Sequence, residues 1–183
     1  MANIAVLDTE TNWLDRVMSL GVVVADGDAL EPLAAKYYIF TPEYLTGGMY
    51  TAALWPNERL KPRIVSREEG MEDLKRWLVS KGVEELYAYN AGFDMTHLPE
   101  LSDFRWYDIM RVAAYRQYNP KIPAWAECYK TGRMKRNYGV EPMLRLLAGE
   151  PGYHETHNAL YDARDELRIM KYLGVPLSKY IEL

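Results

Sequence analysis

The sequence predicts an α/β fold: a mixed sheet of five strands covered by helices. Three observations carry that expectation. The first forty residues hold three apolar runs rich in β-formers. Two later short runs of the same kind, at 85–89 and 104–107, each lead into a segment of helical character. The longest helical periods come after residue 66, alternating with those runs. Strands first, then strands alternating with helices, give an antiparallel meander of three strands extended by parallel ones.

Each element has its own warrant. IAVLD (4–8) reads as a buried strand; LGVVVA (20–25) and AKYYIF (35–40) follow, with Asp26, Gly27 and Asp28 as the turn between them. Residues 41–62 mix Gly and Pro without a clear period and read as a loop with one helical turn. Ser66 and Glu69 then stand in capping-box spacing ahead of an apolar stripe of Met71, Leu74, Trp77 and Leu78, closed by Gly82. ELYAY (85–89) is the fourth strand, and NAGFDMTHLPEL starts a short helix that Pro99 limits. FRWY (104–107) is the fifth strand, after which Asp108 is expected to cap a helix over 109–118. Residues 119–138 lack a sustained period and carry five basic residues. A helix over 141–149 follows, with Pro142 near its start. The last helix is expected over 157–173, with Thr156 as its cap and Gly174 as its stop.

Composition sets bounds. The 183 residues suit a single domain with a core of its own, and 49% apolar with 26% charged residues is ordinary for a soluble globular protein. Cys128 is the only cysteine, so an internal disulfide is excluded and a reducing, cytoplasmic setting is expected. The first strand begins by residue 4, which leaves no room for a signal peptide, and no apolar run approaches a membrane span. No membrane partner is expected. A net charge of −4 argues against a uniformly basic nucleic-acid binder.

The chemistry starts at Asp8 and Glu10. Residues two apart on a strand share a face, so both carboxylates stand together at the end of the first strand. Like charges that close repel, and burial aggravates it; a divalent cation would neutralise them. A solvated turn is the plainer alternative. Two further acids, Asp94 after the fourth strand and Asp162 in the last helix, bring the count to four carboxylates on three elements. Oxygen donors suit hard Mg²⁺ or Mn²⁺, and the absence of Cys and His clusters argues against structural zinc. Leaving those four acids aside, the net charge rises from −4 to 0, so the remaining surface need not repel a polyanion.

D-T-E at Asp8 to Glu10, N-x-x-x-D at Asn90 to Asp94, and H-x-A-L-x-D-A at His157 to Ala163 follow one another along the chain. In this order they resemble the three motifs of the DnaQ-like, DEDDh branch of the 3′–5′ exonucleases. YDIMRVAA also resembles that family's stretch between its second and third motifs, so the likeness covers nearly the whole chain. It implies an RNase H-like fold and a nuclease that releases nucleoside monophosphates from DNA or RNA 3′ ends with two metal ions. Asp8, Glu10 and Asp162 would hold one ion, Asp8 would bridge to the second, and Asp94 would hold that one through water. His157 would be the general base. A helical offset of five residues turns roughly 140°, so His157 belongs on the loop or first turn ahead of Asp162 rather than on its face.

Other residues fall around this set. Thr11 and Asn90 flank the motifs and are counted with substrate binding, Asn90 also suiting a bond to backbone near Asp94. Asn12 stands where the family commonly has a second threonine, which bears on how a 3′ end is seated. His154 could compete with His157 as base, and Asp165 reads as a solvated neighbour of Arg168. Lys130, Arg133, Lys135 and Arg136, interleaved with Trp125, Tyr129 and Tyr138, could track a phosphate backbone, against the alternative of a solvated loop. Two readings compete with a nuclease of general substrate. One is a catalytically silent module of the same fold serving a polymerase or repair complex; the other is an RNA-trimming exoribonuclease. Fold alone does not choose among them.

Overall fold

The computed structural model describes residues 2–55 and 61–183. Strands β1 (Asn3–Thr11), β2 (Val17–Asp26) and β3 (Pro32–Phe40) form the antiparallel meander. Strand β4 (Arg63–Val65) pairs in parallel with β3, while β5 (Glu85–Ala88) and β6 (Arg105–Asp108) extend the sheet in parallel beyond β1. The order is β4-β3-β2-β1-β5-β6, six strands where the sequence suggests five. The additional one is β4. Three residues are too few to display a period, and only pairing with Tyr38 to Phe40 makes them a strand.

Among the described residues the α-helices are α1 (Arg67–Ser80), α2 (Gly92–His97), α3 (Met110–Ala113), α4 (Val140–Ala148) and α5 (Ala159–Leu173). Helix α1 starts as its spacing predicts, with the Ser66 hydroxyl accepting the Glu69 N–H at 3.2 Å. The loop after β3 holds two short 3-10 turns, Glu43–Thr46 and Thr51–Ala53; residues 56–60 of the predicted 41–62 loop lie outside the described residues. The helix expected over 109–118 stops after four residues. The Asn119 side chain takes the Ala113 carbonyl at 2.7 Å, and the Arg116 N–H turns to Gly132 at 3.0 Å, so the ladder cannot continue. Among the described residues no helix is long and apolar enough to cross a membrane.

The sheet is packed on both faces, and β1 shows how. Ile4 and Val6 join the core against α4 and α5, while Ala5 and Leu7 join the core under α1. The same alternation continues into the polar end of the strand, which puts Asp8 and Glu10 on the α5 side.

Helix α5 reaches that side by an unusually close approach. Gly21 of β2 lies opposite Asp8 in register, and a methyl group on it would stand 2.2 Å from the Ala159 carbonyl oxygen. Backbone therefore rests on backbone, and the helix begins directly beside Asp8. Its cap is Asn158, not Thr156: the Asn158 carboxamide oxygen accepts the Leu160 N–H at 3.1 Å, and its NH₂ group donates to the Ala53 carbonyl at 2.6 Å. Asn is the stronger N-cap type, and the long-range anchor on the Ala53 carbonyl holds it there. Asp165 is buried as well, not solvated, because Arg168 bonds it at 2.7 Å and the Tyr153 hydroxyl donates to it.

Gly21→Ala is expected to destabilise the protein by about 1–3 kcal/mol or more, since the clash is with backbone that cannot turn aside. Urea unfolding would measure it. A variant as stable as the parent would show that α5 does not depend on this contact.

Candidate active site

Four elements deliver the site. Strand β1 runs through Asp8 and Glu10 to Thr11, with a register shift between the last two. Beyond the end of β5, the backbone turns at Asn90, whose φ of +63° lies in the left-handed region, and starts α2 with Asp94 in its first turn. Asn is among the few side chains that tolerate that region. The Asn90 N–H donates to Asp108 at 3.0 Å, and the same carboxylate oxygen accepts the Met110 N–H at 2.9 Å. Asp108, the last residue of β6, thus ties the Asn90 turn to the start of α3, but the N-cap position itself is Ile109, with no side-chain cap bond, because Asp108 is held in the strand.

His157 also has a left-handed backbone, φ +54°, in the extended segment just before the Asn158 cap. A non-glycine residue held there is strained by about 1–2 kcal/mol. Its imidazole stacks on Tyr50 with ring centres 4.0 Å apart and planes 16° apart. Tyr50 comes from the loop after β3, which the sequence does not connect with the site.

The ligating atoms of Glu10, His157 and Asp162 lie within 4.8 Å of one another. Asp94 is buried and accepts two bonds from Thr9, at 2.7 Å from the hydroxyl and 3.1 Å from the N–H. Two oxygens of these acids, Asp8 Oδ2 and Asp162 Oδ1, are shielded from solvent and have no hydrogen-bond partner among the described residues. Such orphans are rare in folded proteins. Oxygen donors that close, with unspent lone pairs, fit a hard divalent cation.

Two further acids crowd the cluster, and neither belongs to a motif. Glu166, one turn beyond Asp162, is buried and accepts the Tyr89 N–H at 3.0 Å. Glu155 is half-buried on the segment leading to His157, with its N–H bonded to Glu141. Their apolar-facing helix position and loop setting gave no sequence signal. Among the described residues none of the six acids is ion-paired to Lys or Arg.

Crowding and burial raise every carboxyl in the group. Burial is the main cause for Glu10, pushed up to about 8, with Glu155 and Asp94 adding repulsion. Asp162 reaches about 9, from burial and then Glu155 and Glu10. Asp94 reaches about 7 through burial, against the lowering effect of its Thr9 bonds. Glu155 also reaches about 7, from burial and then Glu141. Asp8 is raised well above the carboxylate range by burial, then by Glu166, Asp94, Asp162 and Glu10.

The chain matches no family model and no curated protein by sequence. Solved structures do match it. Exonuclease X in complex with 5′-overhanging duplex DNA aligns with a TM-score of 0.56 at 20% identity, covering 96% of this chain and 96% of that one. The nuclease domain of 3′hExo, a DEDDh family member bound to rAMP, aligns at 0.68 and 14% identity, covering 99% and 96%. E. coli Exonuclease I in complex with a dA16 oligonucleotide aligns at 0.64 and 13% identity, covering 98% of this chain and 42% of that one. The fold is that of the DEDDh 3′-exonucleases.

Within this DEDDh-type fold the remaining candidate residues are more dispersed. Thr11 is half-buried beside Glu10, and Asn90 exposes its side chain. Asn12 is buried and builds the β1–β2 turn, donating to Glu43 and accepting from Leu14 and Arg16. That turn lifts Trp13 and Leu14 into solvent, and α2 does the same with Phe93 and Met95. His154 is exposed and contacts Arg145 and Glu141, away from the cluster that His157 joins. Of the basic stretch, Arg133 packs between the rings of Tyr129 and Tyr138, Lys135 stands 4.0 Å from Glu127, and Lys130 and Arg136 are exposed.

A linkage prediction follows from the raised acids. Unfolded carboxyls titrate near about 4, so the native cluster retains protons that the unfolded chain has released. Its contribution to metal-free stability is full below about pH 4 and is lost as pH rises through 7 to 9. Melts in EDTA should fall from pH 5 to pH 9, and Mn²⁺ should raise the midpoint most at the alkaline end. A Mn²⁺ increment that does not grow with pH would refute the assignment.

Proposed function

We propose that this chain is a metal-dependent 3′–5′ exonuclease, hydrolysing the terminal phosphodiester of DNA or RNA and releasing nucleoside monophosphates. The observation that carries the reading is the meeting of Glu10, His157 and Asp162 at one point beside two buried, unpartnered carboxylate oxygens. The fold shared with DEDDh exonucleases supports it.

Asp8, Glu10 and Asp162 would hold one Mg²⁺ or Mn²⁺, with Asp8 and Asp94 serving a second. A pair of such ions supplies charge neutralisation for an anionic phosphodiester and for its developing alkoxide. The protein supplies the rest. His157 accepts the proton of the attacking water at a ring nitrogen, while the bond from phosphorus to the 3′ oxygen breaks. Tyr50, stacked flat on the imidazole, fixes the plane in which that nitrogen can point. The Asn158 cap fixes the backbone that carries it. Thr11 and Asn90 would contact the 3′ nucleotide, and the exposed Trp13, Leu14 and Phe93 would offer apolar surface to its base. Lys130, Arg133, Lys135 and Arg136 would meet the phosphates upstream.

The direct test is purified protein with Mg²⁺ and 5′-labelled DNA and RNA oligomers, read for laddering from the 3′ end. Asp8→Ala is expected to abolish laddering while the protein stays folded, because it removes the shared ligand and one repelling charge together. Retained Mg²⁺-dependent cleavage in that variant would sink the two-metal assignment.

His157→Ala should slow single-turnover cleavage by about 10²- to 10⁴-fold. If His154→Ala produces the large loss instead, the base has been misassigned.

A further inference from the structure

We infer that the groove between α4 and the 123–137 excursion is a binding site for an unpaired stretch of nucleic acid, one base lying against Trp125 and the backbone passing Arg136. The inference rests on the nucleic-acid reading of the acidic site and adds a second contact region to it.

The groove encloses about 520 Å³, within the range of pockets that hold a molecule the size of a base. Pro123, Met134 and Leu146 give it apolar walls, and its charged lining is Arg136 and Arg145 against the single acid Glu127. Trp125 lines it while remaining 84% exposed, the most exposed large apolar side chain among the described residues. An indole left in water beside a cationic groove is a ready stacking platform, and bases stack without regard to identity.

The wall that carries Trp125 is built rather than loose. The Arg116 guanidinium donates to the carbonyls of Pro123, Ala124 and Ala126, the last at 2.6 Å. Cys128 pairs with Met134 in an isolated bridge, and the Lys135 N–H bonds Glu127 at 2.9 Å. Arg133 packs between Tyr129 and Tyr138 at 5.0 and 5.4 Å. Binding therefore need not order this segment first.

Charge selects a polyanion. Residues 119–138 hold Lys121, Lys130, Arg133, Lys135 and Arg136 against the single acid Glu127, in a chain whose net charge is −4. Lys121 is spent on the Leu147 carbonyl, and Arg145 is shared with Glu141 at 2.7 Å. Arg136 is exposed and has no ion-pair partner among the described residues. The groove also connects with the site. Arg145 bonds the Tyr153 carbonyl at 2.7 Å and the His154 ring at 3.1 Å, on the segment that leads to His157. The Tyr138 carbonyl accepts the hydroxyl of Tyr89, which precedes Asn90. These bonds tie the groove wall to the segments that carry His157 and Asn90.

The test is affinity, measured by anisotropy in Ca²⁺ with the full chain, for labelled oligothymidylates of about 15 and about 4 nucleotides. Trp125→Ala should weaken the longer oligomer about tenfold or more and narrow the ratio between the two lengths. Trp125→Phe should restore most of the loss. Arg136→Ala should reduce the salt slope for the longer oligomer by about 0.7. A natively folded Trp125→Ala that binds the longer oligomer like the parent would overturn the inference and leave the groove to a protein partner. So would equal weakening of both lengths. Laddering by the parent protein with an unchanged Trp125→Ala affinity would refute the groove while sparing the exonuclease. Loss of affinity without any laddering would do the reverse.

Discussion

At Gly21 the backbones of β2 and α5 touch, and a single added methyl would lie 2.2 Å from the Ala159 carbonyl oxygen. The site depends on that contact. It sets the first turn of α5, which carries Asp162, beside Asp8 at the end of β1. It also fixes where the chain must arrive from. His157 and Asn158 occupy the last two positions before the helix, and the strain of His157 at φ +54° is sustained by the Asn158 cap on one side and the Tyr50 ring on the other. A larger residue at position 21 would move all of these together.

The closeness so achieved is electrostatically unfavourable in the protein alone. Six carboxyl groups share a shielded space without a Lys or Arg partner among the described residues, and each responds by holding its proton more tightly. The fold tolerates this because the sheet is packed on both faces, with fully buried side chains such as Leu7, Tyr37 and Leu74 in its two cores. Stability is thus supplied at a distance from the acids, and the acids are left free for chemistry. Glu166 is the clearest expression of the arrangement: its carboxyl both joins the crowd and ties the end of β5 to α5 through the Tyr89 N–H.

Much of this was legible in the residues. The three meander strands, α1 with its Ser66 cap, and the two late strands all follow from period and turn chemistry. Where the expectation departed from the structure, long-range contacts account for it. β4 exists only by pairing with β3. The helix after Asp108 ends early because Asn119 and Gly132 claim its backbone groups. Asp165 is covered by Tyr153, twelve residues away, a distance at which no local pattern speaks.

The sequence by itself determined the candidate residues and their spacing: the period of two that aligns Asp8 with Glu10, the acids Asp94 and Asp162 on later elements, and a histidine kept off the face of the last helix. Those are properties of residue type and spacing, and spacing acts along the chain. Only the tertiary structure decided that these groups meet, that Glu155 and Glu166 join them, that Tyr50 stacks on the histidine, and that Trp125 and Arg136 line one groove with α4. Each of those depends on distances between elements. Such distances are set by backbone packing, as at Gly21, and by burial, neither of which is a property of any one segment.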